Sequence, residues 1–391
     1  MRTFVKTASV ALLLAGVAMS PTWAQELGAA QEGSGEAPRG AEVSGALLGA
    51  AQPIPTPQVE EGATRAAPML DDAAALRALG AVTRSSGGEV TRTDAPESVK
   101  SAVEQMNAAP EGEESRGGEA GGEIQPAPDP AFEGAAAEPA TETQQATDAE
   151  GGEESERQVF GADDRLQVSD TTAYPFRTVG LLLLTNKNGS GGTCSGTLIG
   201  PRTVLTAAHC LYDHTKKNAD GTAGGWMDEV IYAPAVNGET VVPYGAFEVE
   251  STTILQGFID NYKTDYVDVI PWDLGVVTLK EPLGDYLGWL AASDVPGLGD
   301  FSANIVGYPG DKPAGTMWRA TCDVMAENIG PDYLLYDCDT FQGSSGASVY
   351  AYDNTAKERV ILGVNVAGGE GGNLALRLNS AYIEWINSVY K

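Results

Sequence analysis

The character of the chain changes at residue 157, and that break decides where a hydrophobic core can form. Residues 25–157 are rich in Gly, Ala, Glu and Pro and poor in aromatics, as in Gly117-Gly118-Glu119-Ala120-Gly121-Gly122-Glu123 and in Pro126-Ala127-Pro128. Such a segment buries too little apolar surface to offset its ordering entropy, so most of it is expected to be disordered. Two pieces carry helical character: 70–79, and 95–106 with its apolar stripe Val99, Val103 and Met106. Residues 158–391 differ: short strand-like runs recur between Gly, Pro and Asp turns, at 178–185, 196–199, 203–206, 230–233, 274–279, 304–306, 333–336, 347–352, 360–366 and 374–378. Many short strands at this spacing imply an all-β sandwich or barrel, and the stretch is long enough for two small barrels around a shared cleft. One helix closes the chain, from about Ser380, with Glu384 in its first turn and Ile383, Ile386, Val389 and Tyr390 at helical spacing.

Residues 1–24 read as a signal peptide, with Arg2 and Lys6 before an apolar run from Val10 to Met19 and a small-x-small site, Thr22-Trp23-Ala24, that suits cleavage after Ala24. The run is too short to span a bilayer, so a secreted, soluble product is expected, extracellular or periplasmic. Four cysteines allow three pairings. Cys194 and Cys210 flank a strand-turn-strand segment and Cys322 and Cys338 flank another of the same length, so two local bridges are the simplest arrangement and free buried thiols the alternative. Each bridge would stabilise by roughly 3 kcal/mol if closed without strain. Residues 1–157 carry 26 acidic and 10 basic side chains and the remainder 28 and 14, within a net charge of −30. Both halves are acidic, which argues against nucleic acid or an anionic membrane as a partner and assigns the charge to solubility. A monomer is expected.

The chain has two histidines. His209 lies in Thr206-Ala207-Ala208-His209-Cys210, where a bridged turn of short side chains would hold an imidazole at a barrel rim. His214, in a polar stretch with Lys216 and Lys217, reads as a surface loop residue. Gly343-Ser344-Ser345-Gly346 has the form of a serine nucleophile turn, in which glycine permits the tight backbone that aims the NH groups of Gly343 and Ser345 at one point. A serine hydroxyl is a poor nucleophile at neutral pH and needs a base, an acid to orient that base, and donors for the oxyanion. Among the acids of 260–273, Asp273 alone opens an apolar strand, Asp273-Leu274-Gly275-Val276-Val277-Thr278-Leu279, where a carboxylate can be buried against an imidazole NH. Asp265 and Asp268 read as loop acids, with a structural calcium site as the alternative. Gly/Ser turns are common and a buried histidine often has only a structural role, so the order His, Asp, Ser matters more than any one motif.

Those segments, in that order, resemble the chymotrypsin-fold serine peptidases. Val159-Phe-Gly-Ala-Asp-Asp-Arg165, Asp170-Thr-Thr-Ala-Tyr-Pro-Phe176, Val306-Gly-Tyr-Pro-Gly-Asp-Lys-Pro-Ala-Gly-Thr-Met-Trp318 and Asp339-Thr-Phe-Gln-Gly-Ser-Ser-Gly346 are similar to the bacterial glutamyl endopeptidase branch. The resemblance runs from about residue 158 to the end. It implies an all-β fold of two six-stranded antiparallel barrels with a C-terminal helix, a catalytic triad of His209, Asp273 and Ser345, an oxyanion hole from Gly343 and Ser345, peptide or protein substrates and no cofactor. The branch places a histidine in its specificity pocket where this chain has Asn365, so the pocket, with Thr340 and Gly368, lacks a cation and selectivity for glutamate over glutamine should fall. Asp339 opens the alternative of Arg or Lys specificity, although the branch carries Asp-Thr there without it. Ser344 stands where digestive serine proteases pair an aspartate with the new amino terminus. By the resemblance the mature chain starts at Gln158 or Val159, so cleavage after Arg157 would release residues 25–157 as a propeptide, the domain's own partner; a bare linker is the alternative. A non-catalytic binding protein on a peptidase fold is the competing function class.

Overall fold

The computed structural model describes residues 26–27, 31–33, 36–43, 48–49, 51–58, 72–108, 129–132, 158–217, 221–354, 356–369 and 371–391. The expected signal peptide and the expected cleavage site at Arg157 lie outside them.

Six strands build the first barrel: β3 (Val179–Thr185), β4 (Gly191–Leu198), β5 (Thr203–Thr206), β6 (Glu229–Pro234), β7 (Phe247–Leu255) and β8 (Gly275–Leu279). They pair antiparallel in the order β6-β3-β4-β5-β8-β7, and β7 returns to β6 through Ile231↔Glu248 and Tyr232↔Phe247, which closes the ring. The run Val179–Leu184 is buried throughout because one face lines the interior and the other is covered by neighbouring structure. Gly180 leaves room for the Tyr232 ring, whose hydroxyl donates to the Thr178 carbonyl at 2.8 Å.

The second barrel comprises β9 (Phe301–Gly307), β10 (Trp318–Val324), β11 (Tyr333–Tyr336), β12 (Ser348–Asp353), β13 (Glu358–Gly369) and β14 (Gly372–Arg377), paired β10-β9-β12-β13-β14-β11. Between β10 and β11 no strand pairing closes the ring among the described residues; the Cys322–Cys338 disulfide links the two sides there. The other bridge, Cys194–Cys210, ties β4 to the turn after β5. Both bridges are the local pairs expected from the spacing. The closing helix, α3 (Ser380–Val389), buries Ala381, Tyr382, Ile383, Trp385 and Ile386, and the Asn379 side chain caps it by accepting from the Tyr382 amide at 3.1 Å.

Two of the twelve barrel strands, β7 and β10, have no counterpart in the sequence reading. Each interleaves apolar residues with Glu248 and Glu250, or with Arg319 and Asp323, so no apolar run marks them.

The region before residue 158 docks on this body. Helices α1 (Asp72–Ala78) and α2 (Glu97–Ala108) fall where the apolar spacing placed them. Between them, unanticipated, lies the hairpin β1 (Ala81–Ser85) and β2 (Val90–Thr93). Strand β1 pairs with β7 from Ala81↔Leu255 to Ser85↔Ser251 and extends the first barrel's sheet. Helix α2 buries Val99 and Ala102 and packs beside α3. Further along, Asp129 is fully buried and receives Arg359 Nε at 2.7 Å, Arg359 Nη2 at 2.6 Å and the Tyr350 hydroxyl at 3.0 Å. A segment too poor in apolar residues for its own core thus becomes ordered by using the barrels' edges and one buried ion pair. No helix among the described residues is long and apolar enough to cross a membrane.

Candidate active site

The register of β5 against β8 brings the first two groups together. Thr206 pairs with Gly275, so the turn Ala208–Cys210 that follows β5 meets the residues just before β8. Asp273 accepts twice from His209: its Oδ2 lies 2.6 Å from Nδ1 and its Oδ1 2.8 Å from the His209 backbone N. Both residues are buried. A carboxylate only accepts, so Nδ1 carries the imidazole proton and Nε2 is the basic nitrogen. Tyr266 meets the His209 ring edge-on at 6.3 Å between centroids.

Ser345 lies in the turn before β12, between two glycines in the left-handed region, Gly343 at φ 93° and Gly346 at φ 81°. The first barrel holds this turn through Ser195 on β4, whose backbone N donates to the Ser345 carbonyl at 2.8 Å while its Oγ donates to the Gly343 carbonyl at 2.9 Å and accepts from Tyr308 N at 3.0 Å. The Gln342 carbonyl accepts from Gly310 N at 2.7 Å, and the Ser344 carbonyl from Ala347 N at 2.9 Å and Asn365 Nδ2 at 3.2 Å. A planar trans peptide points each NH opposite its carbonyl, so the NH groups of Gly343 and Ser345 face away from these anchors. Ser195 has no motif of its own, and no local pattern marks it.

Beside the turn, Thr340 and Gly368 meet around Gln158, which is fully buried. The Thr340 amide donates to the Gln158 carbonyl at 3.0 Å and its hydroxyl to Gln158 Oε1 at 3.4 Å. Any side chain at 368 would collide with Gln158 Cγ. Asn373, which the sequence reading missed, donates from Nδ2 to the carbonyls of Gln158 and Cys338, at 3.0 and 2.8 Å. Asn365 is buried with its amide engaged: Oδ1 accepts the Tyr336 hydroxyl at 2.6 Å and Nδ2 donates to Ser344. Burial pushes the Tyr336 hydroxyl well above the usual phenol range, so it stays a donor. Asp339 spends both oxygens on backbone amides, those of Phe160 at 2.8 Å and Asp164 at 3.1 Å.

His214 is not a loop residue at the surface. It lies on the strand Tyr212–Lys217, buried, stacked on Tyr262 at 3.9 Å between centroids and 7° between planes, with Phe258, Tyr212 and Tyr266 around it. The neighbouring lysines suggested exposure, but strand alternation sends His214 inward and Lys217 outward. Asp265 caps its own turn by accepting from Val267 N at 3.2 Å, and Asp268 lies 4.0 Å from Lys263. Among the described residues the one His/Cys/acid group compact enough to share an ion is Cys194, His209 and Cys210, and its two sulfurs form a disulfide and supply no thiolate.

A closed antiparallel barrel and a second six-stranded one, with a buried His-Asp pair and a glycine-flanked serine at their seam, define the chymotrypsin-like fold class. Residues 168–386, more than half of the chain, match the trypsin family, and the chain belongs to that family. It is 36% identical over 196 residues to the glutamyl endopeptidase of Bacillus licheniformis, covering 50% of this chain and 55% of that protein. It is 31% identical over 231 residues to a Bacillus subtilis protein called extracellular metalloprotease, covering 57% and 66%. A solved structure of a Glu endopeptidase in complex with MPD aligns with a TM-score of 0.48 at 25% identity, covering 59% of this chain and 98% of that one. The chain spans from about half to two thirds of the length of the curated relatives it matches.

Proposed function

We propose that the chain is a secreted serine endopeptidase, and the observation that carries this is the His209–Asp273 pair beside the tethered turn of Ser345. With Nδ1 held by Asp273, Nε2 takes the proton as Ser345 Oγ attacks a peptide carbonyl carbon. The resulting oxyanion is stabilised by the amides of Gly343 and Ser345. His209 then passes the proton to the amine, the C–N bond breaks, and an acyl-enzyme remains on Ser345. Water, deprotonated by the same Nε2, releases the acid and restores the hydroxyl. No step calls for a cofactor or metal.

Substrate preference falls on glutamate or another polar residue before the scissile bond. Thr340 and Gly368 pack against the uncharged amide side chain of Gln158, which is close to glutamate in size. A basic residue is disfavoured, because the Asp339 carboxylate is already satisfied by Phe160 and Asp164. Residues 25–157 act as a propeptide removed after Arg157. Labelling with an organophosphonate tests the function: the processed protein should be modified at Ser345, whereas a binding protein on this fold would stay unlabelled.

A further inference from the structure

The catalytic cleft already holds a peptide, and it comes from this chain. Residues 51–58 cross from the first barrel to the second directly over Ser345. On β4, Thr193 N donates to the Gln52 carbonyl at 2.9 Å and Thr193 O accepts from Ile54 N at 3.0 Å; on β13, Gly368 N donates to the Pro57 carbonyl at 3.1 Å. Both contacts have parallel sense, Pro53 with Thr193 and Gln58 with Gly368. Pro53 packs on the backbone of Gly310 and Gly343, where any side chain would displace it. Between these anchors Thr56 is buried, and its Oγ1 lies 3.1 Å from Ser345 Oγ.

We propose that residues 51–58 form an inhibitory strap, a segment that fills the cleft in a form the triad does not cut. The proposal rests on the peptidase function above for its chemistry, but the occupancy of the cleft stands apart from it. Three features make the segment a blocker rather than a substrate. The group it offers the nucleophile is a hydroxyl, not a carbonyl carbon. Ser345 Oγ bonds to Thr56, and His209 Nε2 is left buried without a partner among the described residues, so nucleophile and base are uncoupled. Three of the six peptide bonds from Gln52 to Gln58 run into Pro53, Pro55 or Pro57, whose nitrogens bear no hydrogen and whose rings crowd the bond. The alternating prolines also favour an extended chain before docking, which lowers the ordering cost of binding.

The test uses the full chain held uncut by Arg157→Gln and follows how fast a small fluorescent organophosphonate labels Ser345. A strap limits labelling to the fraction of time the cleft is open, so the double variant Pro53→Gly, Thr56→Gly should label at least roughly tenfold faster. A synthetic 51–58 peptide added to that variant should restore protection, and mass spectrometry should find the peptide intact. Equal labelling of the uncut chain and the double variant, or rapid cleavage inside 51–58, would overturn the strap. Should neither uncut form label, labelling of the processed chain decides the peptidase function and fluorescence anisotropy decides the strap: the fluorescent peptide binds the double variant and not the uncut parent, and equal binding to both refutes it.

Discussion

Each oxygen of Asp273 takes a hydrogen from His209, one from the ring and one from the backbone. An amide in that place accepts on one side and presents NH₂ on the other, so Asp273→Asn should invert the ring tautomer and lower turnover about 10⁴-fold with the fold retained; steady-state kinetics on a variant with native circular dichroism check this. His214 behaves differently. Burial pushes its imidazole below the ordinary value of 6.5, so the folded chain holds it neutral while the unfolded chain takes up a proton. Its contribution is therefore complete above about pH 6.5 and is lost as the pH falls, by up to about 1.4 kcal/mol per pH unit until the folded-state value is reached. Denaturant titration between pH 7 and 5 should show that slope, and His214→Ala, which empties the Tyr262 stack at a cost of about 2–4 kcal/mol by the range for large-to-small core changes, should abolish it. Of the residues proposed for substrate selection and their neighbours, none of Gln158, Thr340, Asn365 and Asn373 is a cation. Discrimination between glutamate and glutamine substrates should be weak, and Asn365→His should strengthen it by about 1–3 kcal/mol in kcat/KM ratio when the imidazolium donates to the glutamate carboxylate. The His209–Asp273 pair and the glycine-flanked turn of Ser345 were legible because each lies in a short motif whose chemistry is local. Ser195, Asn373 and Thr56 were not, because each acts across a long sequence separation and carries no local pattern.

At the scale of elements, the strands read correctly are those with continuous apolar runs, such as β3, which is buried on both faces. Strands β7 and β10 escaped because their outward faces are charged. The closure of the first barrel through β6 and β7 depends on pairing that no single segment encodes. The hairpin of β1 and β2 has the same origin: Ala81-Val82-Thr83-Arg84-Ser85 is a weak strand alone and becomes one on the free edge of β7. The docked region is tied at its far end by Asp129, whose carboxylate meets Arg359 in a two-pronged pair away from water. Removing one partner leaves the other charge buried and unpaired, so Asp129→Ala should cost about 3–5 kcal/mol in the uncut chain. Comparing the denaturant midpoint of the uncut variant with that of the uncut parent tests this.

For the whole molecule, composition drew a boundary near residue 157 but could not show that the region before it would lie across the barrels. Its acidic, apolar-poor sequence is compatible with folding only where the barrels supply the surface, along β7, beside α3, at Arg359 and in the cleft over Ser345. Gln158, one of the two expected first residues of the mature chain, is buried beside Thr340. The proposed mechanism depends on one hydroxyl, so the decisive measurement is the turnover of a peptide substrate by the processed chain carrying Ser345→Ala. A loss on the order of 10⁴- to 10⁶-fold with the fold intact is expected, since such a triad acts as a unit and only the oxyanion donors and binding remain. Near-normal turnover by a folded, pure Ser345→Ala protein would contradict it.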